Sequence, residues 1–188
     1  MLIKNIKSLD KYLLSLNNDK ILIRNFQKFS KTISNKLRKG GKIIICGNGG
    51  SYAEAQHFTA ELIVRLKKNN VRGPIPSITL GTEGSTFTAH SNDFEFNTIF
   101  SRQFEGLVNN NDILITLSTS GNSKNIVNVI KCANKKNIYN INLLGCNGGQ
   151  IKKISKNNLI INSKDTARVQ EIHLLLLHTL AEEIENKF

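Results

Sequence analysis

A chain of 188 residues with 39% hydrophobic content is long enough to bury a core of its own, in one domain, without disulfide or metal staples. Its formal charge of +12 comes from 20 lysines and 6 arginines scattered along the chain with no stripe of interleaved aromatics, a compositional bias that matches the many asparagines and gives no reason to expect a nucleic-acid partner. No apolar run approaches the roughly 18 residues of a membrane span, and Lys4, Lys7, Asp10 and Lys11 break any signal-peptide core, so a cytoplasmic protein with no membrane partner is expected.

Residues 1–38 carry apolar side chains at helical spacing, Ile6, Leu9, Leu13 and Leu16 and then Ile23, Phe26, Ile33 and Leu37, with a break near Asn17–Asp19. These apolar faces need a partner, either the domain's own sheet or another subunit. After Gly40 and Gly41, the run Ile43 to Cys46 reads as a strand covered on both faces. A helix is predicted from Ser51 to about Leu66, with Ala55, Phe58, Leu62 and Leu66 as its core stripe. Pro74 and Pro76 mark a turn before a short strand, Ser77 to Leu80. The stretch Glu83 to Phe104 is mixed, with helix predicted over its later half. Asp112 to Leu117 is the next strand, followed by a helix to about Lys136, strands over Ile138 to Leu144 and Leu159 to Ile161, and a closing helix from Thr166 to Asn186.

This alternation predicts an α/β fold of right-handed βαβ units: a five-stranded parallel sheet flanked by helices, in a single domain over 1–188 made of an N-terminal helical segment (1–40) and an α/β core (41–188). Ligands of such sheets sit at the carboxyl ends of the strands, so the loops Gly47 to Ser51 and Ser118 to Ser123 are expected to be neighbours. Cys46, Cys132 and Cys146 are odd in number and form no CxxC pair, which leaves them as buried, inert thiols rather than a disulfide framework or thiolate zinc site.

Three constellations carry chemistry. Gly47, Asn48, Gly49, Gly50 and Ser51 let a backbone approach a polar ligand and present amides at a helix start. The spacing is not that of a dinucleotide fold, whose third glycine would stand at Tyr52 and whose acidic residue would stand where Leu80 is. Ser118, Thr119, Ser120 and Ser123 surround Gly121 where a strand hands over to a helix. One of these hydroxyls would suffice as a cap, so four suggest a cradle for a phosphate monoester, and the loop lacks the GxxxxGK[ST] spacing of a nucleotide P-loop. His57 and Glu61 stand four residues apart on one helix face beside the first loop, as a pair able to move protons or bind metal. On the last helix, Gln170, Glu171, His173 and His178 lie among leucines, and periodicity does not choose between the two histidines.

The segments GNGGS with AQHFTAEL, SNDFEFNTIFSRQFEGL, DILITLSTSGNSKNI and TARVQEIHLLLLH together resemble the bacterial phosphoheptose isomerases of the sugar-isomerase (SIS) fold, in order and with compatible spacing from about Gly41 onward. The resemblance implies interconversion of sedoheptulose 7-phosphate and a glycero-manno-heptose 7-phosphate, for lipopolysaccharide or capsule heptose. It also implies one zinc per subunit on His57, Glu61, Gln170 and His178, with Glu61 and His178 in proton transfer. Substrate contacts are implied from Asn48, Gly49, Gly50, Asn92, Asp93, Ser118, Thr119, Ser120, Ser123 and Gln170, to which the amide-presenting Ser51 is added from the loop itself. His178 is thereby the matched histidine, and His173 falls outside the set. Glu83, Gly84, His90 and Ser91 depart from the family pattern and bear on sugar specificity.

Ketose–aldose interconversion needs a base beside a carbonyl, an acid for the oxygens and, where a divalent ion takes part, a Lewis acid. These requirements suit Glu61 and His178. Gln170 and His178 are eight residues apart, roughly 12 Å of helical rise, so either Gln170 contacts mainly substrate or neighbouring subunits share the site. The family's homotetramer, with its site at a subunit interface, agrees with the second. Close relatives that bind the replication initiator without catalysis, and isomerases of other phosphosugars, are the alternatives.

Overall fold

A computed structural model describes residues 1–188. Two N-terminal helices, α1 (Leu2–Asn17) and α2 (Lys20–Arg38), precede the first strand, β1 (Ile43–Cys46). Then come α3 (Gly50–Ile63), β2 (Ser77–Thr79), α4 (Gly84–Asp93), a single 3₁₀ turn over Phe96–Thr98, and α5 (Ile99–Leu107). The second half alternates β3 (Ile113–Ser118), α6 (Lys124–Lys135), β4 (Tyr139–Leu144), the one-turn α7 (Ile151–Ile154), β5 (Asn158–Ile160) and α8 (Thr166–Glu185). Asp19 separates the first two helices by capping α2, its carboxylate accepting from the amides of Ile21 and Leu22, and Asp165 caps α8 in the same way through Ala167 and Arg168.

All five strands pair in parallel in the order β2-β1-β3-β4-β5. Ile43 and Ile45 point into one apolar layer with Phe29, Ile33, Phe58 and Ile172, while Ile44 and Cys46 point into the other with Phe100, Phe104, Ile126 and Ile130. Strand alternation thus feeds two cores, as the unbroken apolar runs require. The strand order reverses direction between β1 and β3, so the loops after these two strands flank the switch point where such sheets bind ligands.

Two expectations are corrected, and one element is new. The first half of Glu83–Phe104 is helical too, since α4 occupies Gly84–Asp93. The helix after the glycine turn stops at Ile63 rather than near Leu66, because the chain leaves toward the end of α8, where Glu185 accepts from the amides of Leu66 and Lys67. The turn α7 has no counterpart in the sequence reading.

His173 is fully buried, neither ring nitrogen meets hydrogen-bond geometry, and burial pushes its pKa down to about 4 against a weak upward pull from the backbone of Leu144. Glu54 on α3 is 8% exposed, and burial pushes its carboxyl up to about 7 although Ser51 partly offsets this. The two act in opposite directions. A histidine held neutral makes the fold lose stability as pH falls from 6.5 to about 4, whereas a carboxyl held protonated makes it lose stability as pH rises from 4.5 to about 7. Each window is worth about 3 kcal/mol. Denaturant titrations across pH should therefore show H173L losing its acid-side decline and E54Q losing its decline toward neutrality.

Candidate active site

The turn after β1 needs its glycines. Gly49 has φ +56°, and a Cβ at Gly47 would fall 2.5 Å from the Ser51 carbonyl oxygen. The turn after β3 is built on hydroxyls: Ser118 Oγ accepts from the Gly121 amide at 3.1 Å, and Ser120 Oγ accepts from the Asn122 amide at 3.1 Å. Ser123 stands at the start of α6, yet its hydroxyl does not cap the helix and lies 3.3 Å from Ser118 Oγ. Thr119 Oγ1 makes no intramolecular hydrogen bond, so the loop keeps hydroxyls free beside the amides of a helix start.

The two loops are neighbours, as the parallel sheet predicts. Asn48 and Asn125 exchange two amide hydrogen bonds of 2.9 Å each, one loop to the first turn of α6. Sequence reading did not single out Asn125, whose only mark is to be one asparagine among many. A cleft of about 440 Å³ opens beside this clasp, walled by Gly49, Tyr52, Phe87, Phe96 and Phe100.

The metal-competent residues converge elsewhere, at the edge between α3 and α8. His57 Nε2 lies 3.0 Å and His178 Nε2 3.2 Å from Glu61 Oε1, and the two ring nitrogens are 3.1 Å apart. Donor atoms on a tetrahedral zinc at about 2.0–2.1 Å stand roughly 3.3 Å from one another, so this triangle has the edge length such an ion requires. Glu61 Oε2 is buried without a hydrogen-bond partner, and such an orphan costs about 1–3 kcal/mol or more for a charged group. A bound cation would offset that cost, and the residues present fit a divalent metal. Burial holds the Glu61 carboxyl above the usual carboxylate range against the pull of His178 and then His57. The triangle is open on one side, with the His57 side chain 54% and the His178 side chain 39% exposed while Glu61 is 7% exposed.

Gln170 sits at the other end of the same helix pair. Its Nε2 donates to Ser51 Oγ at 3.5 Å, and a Cβ on Gly50 would fall 2.5 Å from that nitrogen. Gly50 thus faces Gln170 and His57 faces His178, so α3 and α8 run side by side in one direction and the eight-residue gap on α8 tracks the seven-residue gap on α3. The structure joins His57, Glu61 and His178 and places Gln170 on the glycine loop. Asn92 and Asp93 are exposed, bond each other at 2.8 Å, and make no hydrogen bond to the other site residues. Glu83 precedes α4 without capping it, and His90 is stacked on Phe94 with its Nε2 3.0 Å from Thr98 Oγ1. His173 is buried away from the triangle.

The Gly50 contact makes a test. In G50A the added methyl meets only the end of a flexible side chain, so the fold should survive while the Gln170 amide is displaced. A thermal melt should give a near-parental Tm, and a polar ligand held by the Gln170 amide should bind about 10-fold more weakly, the cost of one hydrogen bond.

A family model described as the SIS domain matches residues 12–145. The phosphoheptose isomerase of Campylobacter jejuni is 46% identical over 168 residues, 89% of each chain. That of Helicobacter pylori is 45% identical over 152 residues, 81% of this chain and 78% of its own. Among solved structures, a phosphoheptose isomerase from Francisella tularensis superposes with a TM-score of 0.92 at 31% identity, covering 98% of this chain and 96% of that one. One from Neisseria gonorrhoeae superposes at 0.87 and 32%, covering 99% and 100%.

Proposed function

Since the chain belongs to the SIS-domain family of phosphoheptose isomerases, we propose that it interconverts sedoheptulose 7-phosphate and D-glycero-D-manno-heptose 7-phosphate, in cytoplasmic synthesis of the heptose of lipopolysaccharide or capsule. The observation that carries this reading is the convergence of His57 and Glu61 with His178, 121 positions away in sequence, on one point. A module that only bound another protein would have no need of that triangle.

In this reaction the phosphate rests against Ser118, Thr119, Ser120 and Ser123, where the start of α6 favours an anion, and Asn48, Gly49, Gly50 and Ser51 lie along the sugar with Gln170. Asn92 and Asp93 reach it from the end of α4. The Glu61 carboxylate takes a proton from C1 of the ketose as His178 gives one to the C2 carbonyl oxygen, forming the enediol. Glu61 then returns its proton to C2 as the O1 proton goes back to His178, leaving the aldose. His57 and His178 through Nε2 and Glu61 through Oε1, together with Gln170 as the family resemblance adds, would hold zinc, leaving Glu61 Oε2 and His178 Nδ1 to carry the protons; when bound, the ion would polarise the carbonyl and steady the oxyanion. The 188 residues act as a single domain.

The open side of the triangle and the exposed apolar face of the N-terminal helix point to a homotetramer with its site at a subunit interface. Leu2, Ile3, Ile6 and Leu14 are each more than half exposed on α1, and Val64 at the end of α3 is 67% exposed. Light scattering should give a stable oligomer at assay concentration; a fully active monomer would sink the shared site. The function itself is tested by incubating the protein with sedoheptulose 7-phosphate, with and without a chelator, and looking for the aldose. No conversion by the metal-loaded protein would overturn it.

A further inference from the structure

Glu61 stands in the last turn of α3, where main-chain carbonyls lack helical partners and helices fray. The chain beyond returns Arg72 to this end. Its Nη2 donates to the Glu61 carbonyl at 2.8 Å, its Nη1 to the carbonyls of Leu62 at 2.7 Å and Gly73 at 2.9 Å, and Nε and Nη2 donate to Glu185 Oε1 at 3.1 and 2.7 Å. All five N–H groups are used. The Arg72 side chain is 1% exposed and that of Glu185 is 0% exposed.

Glu185 closes α8 and also accepts from the amides of Leu66 at 2.8 Å and Lys67 at 3.3 Å. It follows His178 by seven residues, two turns along the same face. One buried ion pair therefore ties the end of the helix carrying His57 and Glu61 to the end of the helix carrying His178.

We propose that Arg72, anchored by Glu185, is a positioning residue for isomerisation: it caps the final turn of α3 and fixes Glu61 against His178. The inference rests on the role given above to Glu61. A cation at a helix C-terminus is favoured by the dipole, but charge alone does not satisfy two successive carbonyls and a carboxylate. Only the planar fork does so, and a lysine would leave carbonyls unpaired. Sequence reading passed over Arg72 because it lies in a stretch without periodicity between helix and strand.

The test uses two variants, because a broken buried pair can unfold a protein. R72K keeps the charge and loses the fork. The double variant R72M/E185M replaces the pair with apolar side chains and leaves no buried charge uncompensated. Measured for each are Tm, zinc affinity by competition with a chromogenic chelator, and kcat and KM for sedoheptulose 7-phosphate. In the folded variants kcat should fall about 10–100-fold with KM within about 2-fold, and zinc affinity should fall about 10-fold or more, the usual cost of losing a partner behind a metal ligand. Either variant folded with parental kcat and parental zinc affinity overturns the proposal; if R72K fails to fold, the double variant decides. Absence of turnover in the parent would instead sink the isomerase reading and leave the clamp to be judged by zinc affinity alone.

Discussion

Replacing Glu61 with glutamine is expected to lower turnover of sedoheptulose 7-phosphate by about 10²–10⁴-fold, the usual contribution of a positioned general base, with Tm, compared between the metal-free proteins, at or above that of the parent. The substitution keeps the shape of a side chain that is 7% exposed and removes its capacity to accept a proton from carbon. It also removes a buried charge whose Oε2 has no donor, which is why stability should not suffer. Carrying out the reaction in D₂O isolates the step: deuterium that exchanges onto the Glu61 carboxyl at the enediol stage should appear on C2 of the aldose formed by the parent, and E61Q should form almost none of this product. Burial raises the Glu61 carboxyl in the metal-free fold, and any acid limb of kcat/KM that belongs to this residue should vanish from the residual activity of E61Q. Parental turnover by a folded E61Q would take Glu61 out of the chemistry.

The elements of this site differ in how far they can be read from sequence. The sheet is legible because Ile43–Cys46 and Ile113–Leu117 are unbroken apolar runs between polar or glycine turns, and only a parallel sheet covered on both faces demands that pattern. The His57 and Glu61 pair is legible because four residues is one helical turn. His178 is not, since His173 and His178 share one broad apolar helix, and what separates them is which element lies across from each. His173 faces the buried interior, whereas His178 faces α3. Likewise the core stripe runs on to Leu66, and the helix stops at Ile63 because Glu185, more than 100 residues later, captures the amides that would have continued it. The helix α4 escapes sequence reading for a local reason: Gly84, Ser85, Thr86 and Thr88 are poor helix formers, and packing of Phe87 beside the second core outweighs their propensity.

Removal of the proposed metal is expected to have the second large effect. Dialysis against a strong chelator should abolish turnover and lower Tm, and added zinc should restore both. The stability change follows from mass action: an ion that binds only the folded state stabilises it by about 4 kcal/mol when its concentration is 1,000 times Kd. For a chain of this size that is a shift of roughly 8–16 °C. The unfolded chain has no means of keeping His57, Glu61 and His178 within 4.8 Å of one another, so the condition that the ion binds only the fold is met by the long-range character of the site. Ligand deprotonation makes the shift pH-dependent, shrinking as pH falls because protons compete with the ion. H178A should lose the zinc-dependent Tm shift together with activity. S118A should keep the shift and, on the proposed phosphate role of the loop after β3, raise KM, because its hydroxyl belongs to that loop and not to the triangle between α3 and α8. An unchanged rate and an unchanged Tm after exhaustive chelation would leave the triangle as an ordinary hydrogen-bonded cluster, and equal loss of the shift in H178A and S118A would show that zinc acts through the whole cleft.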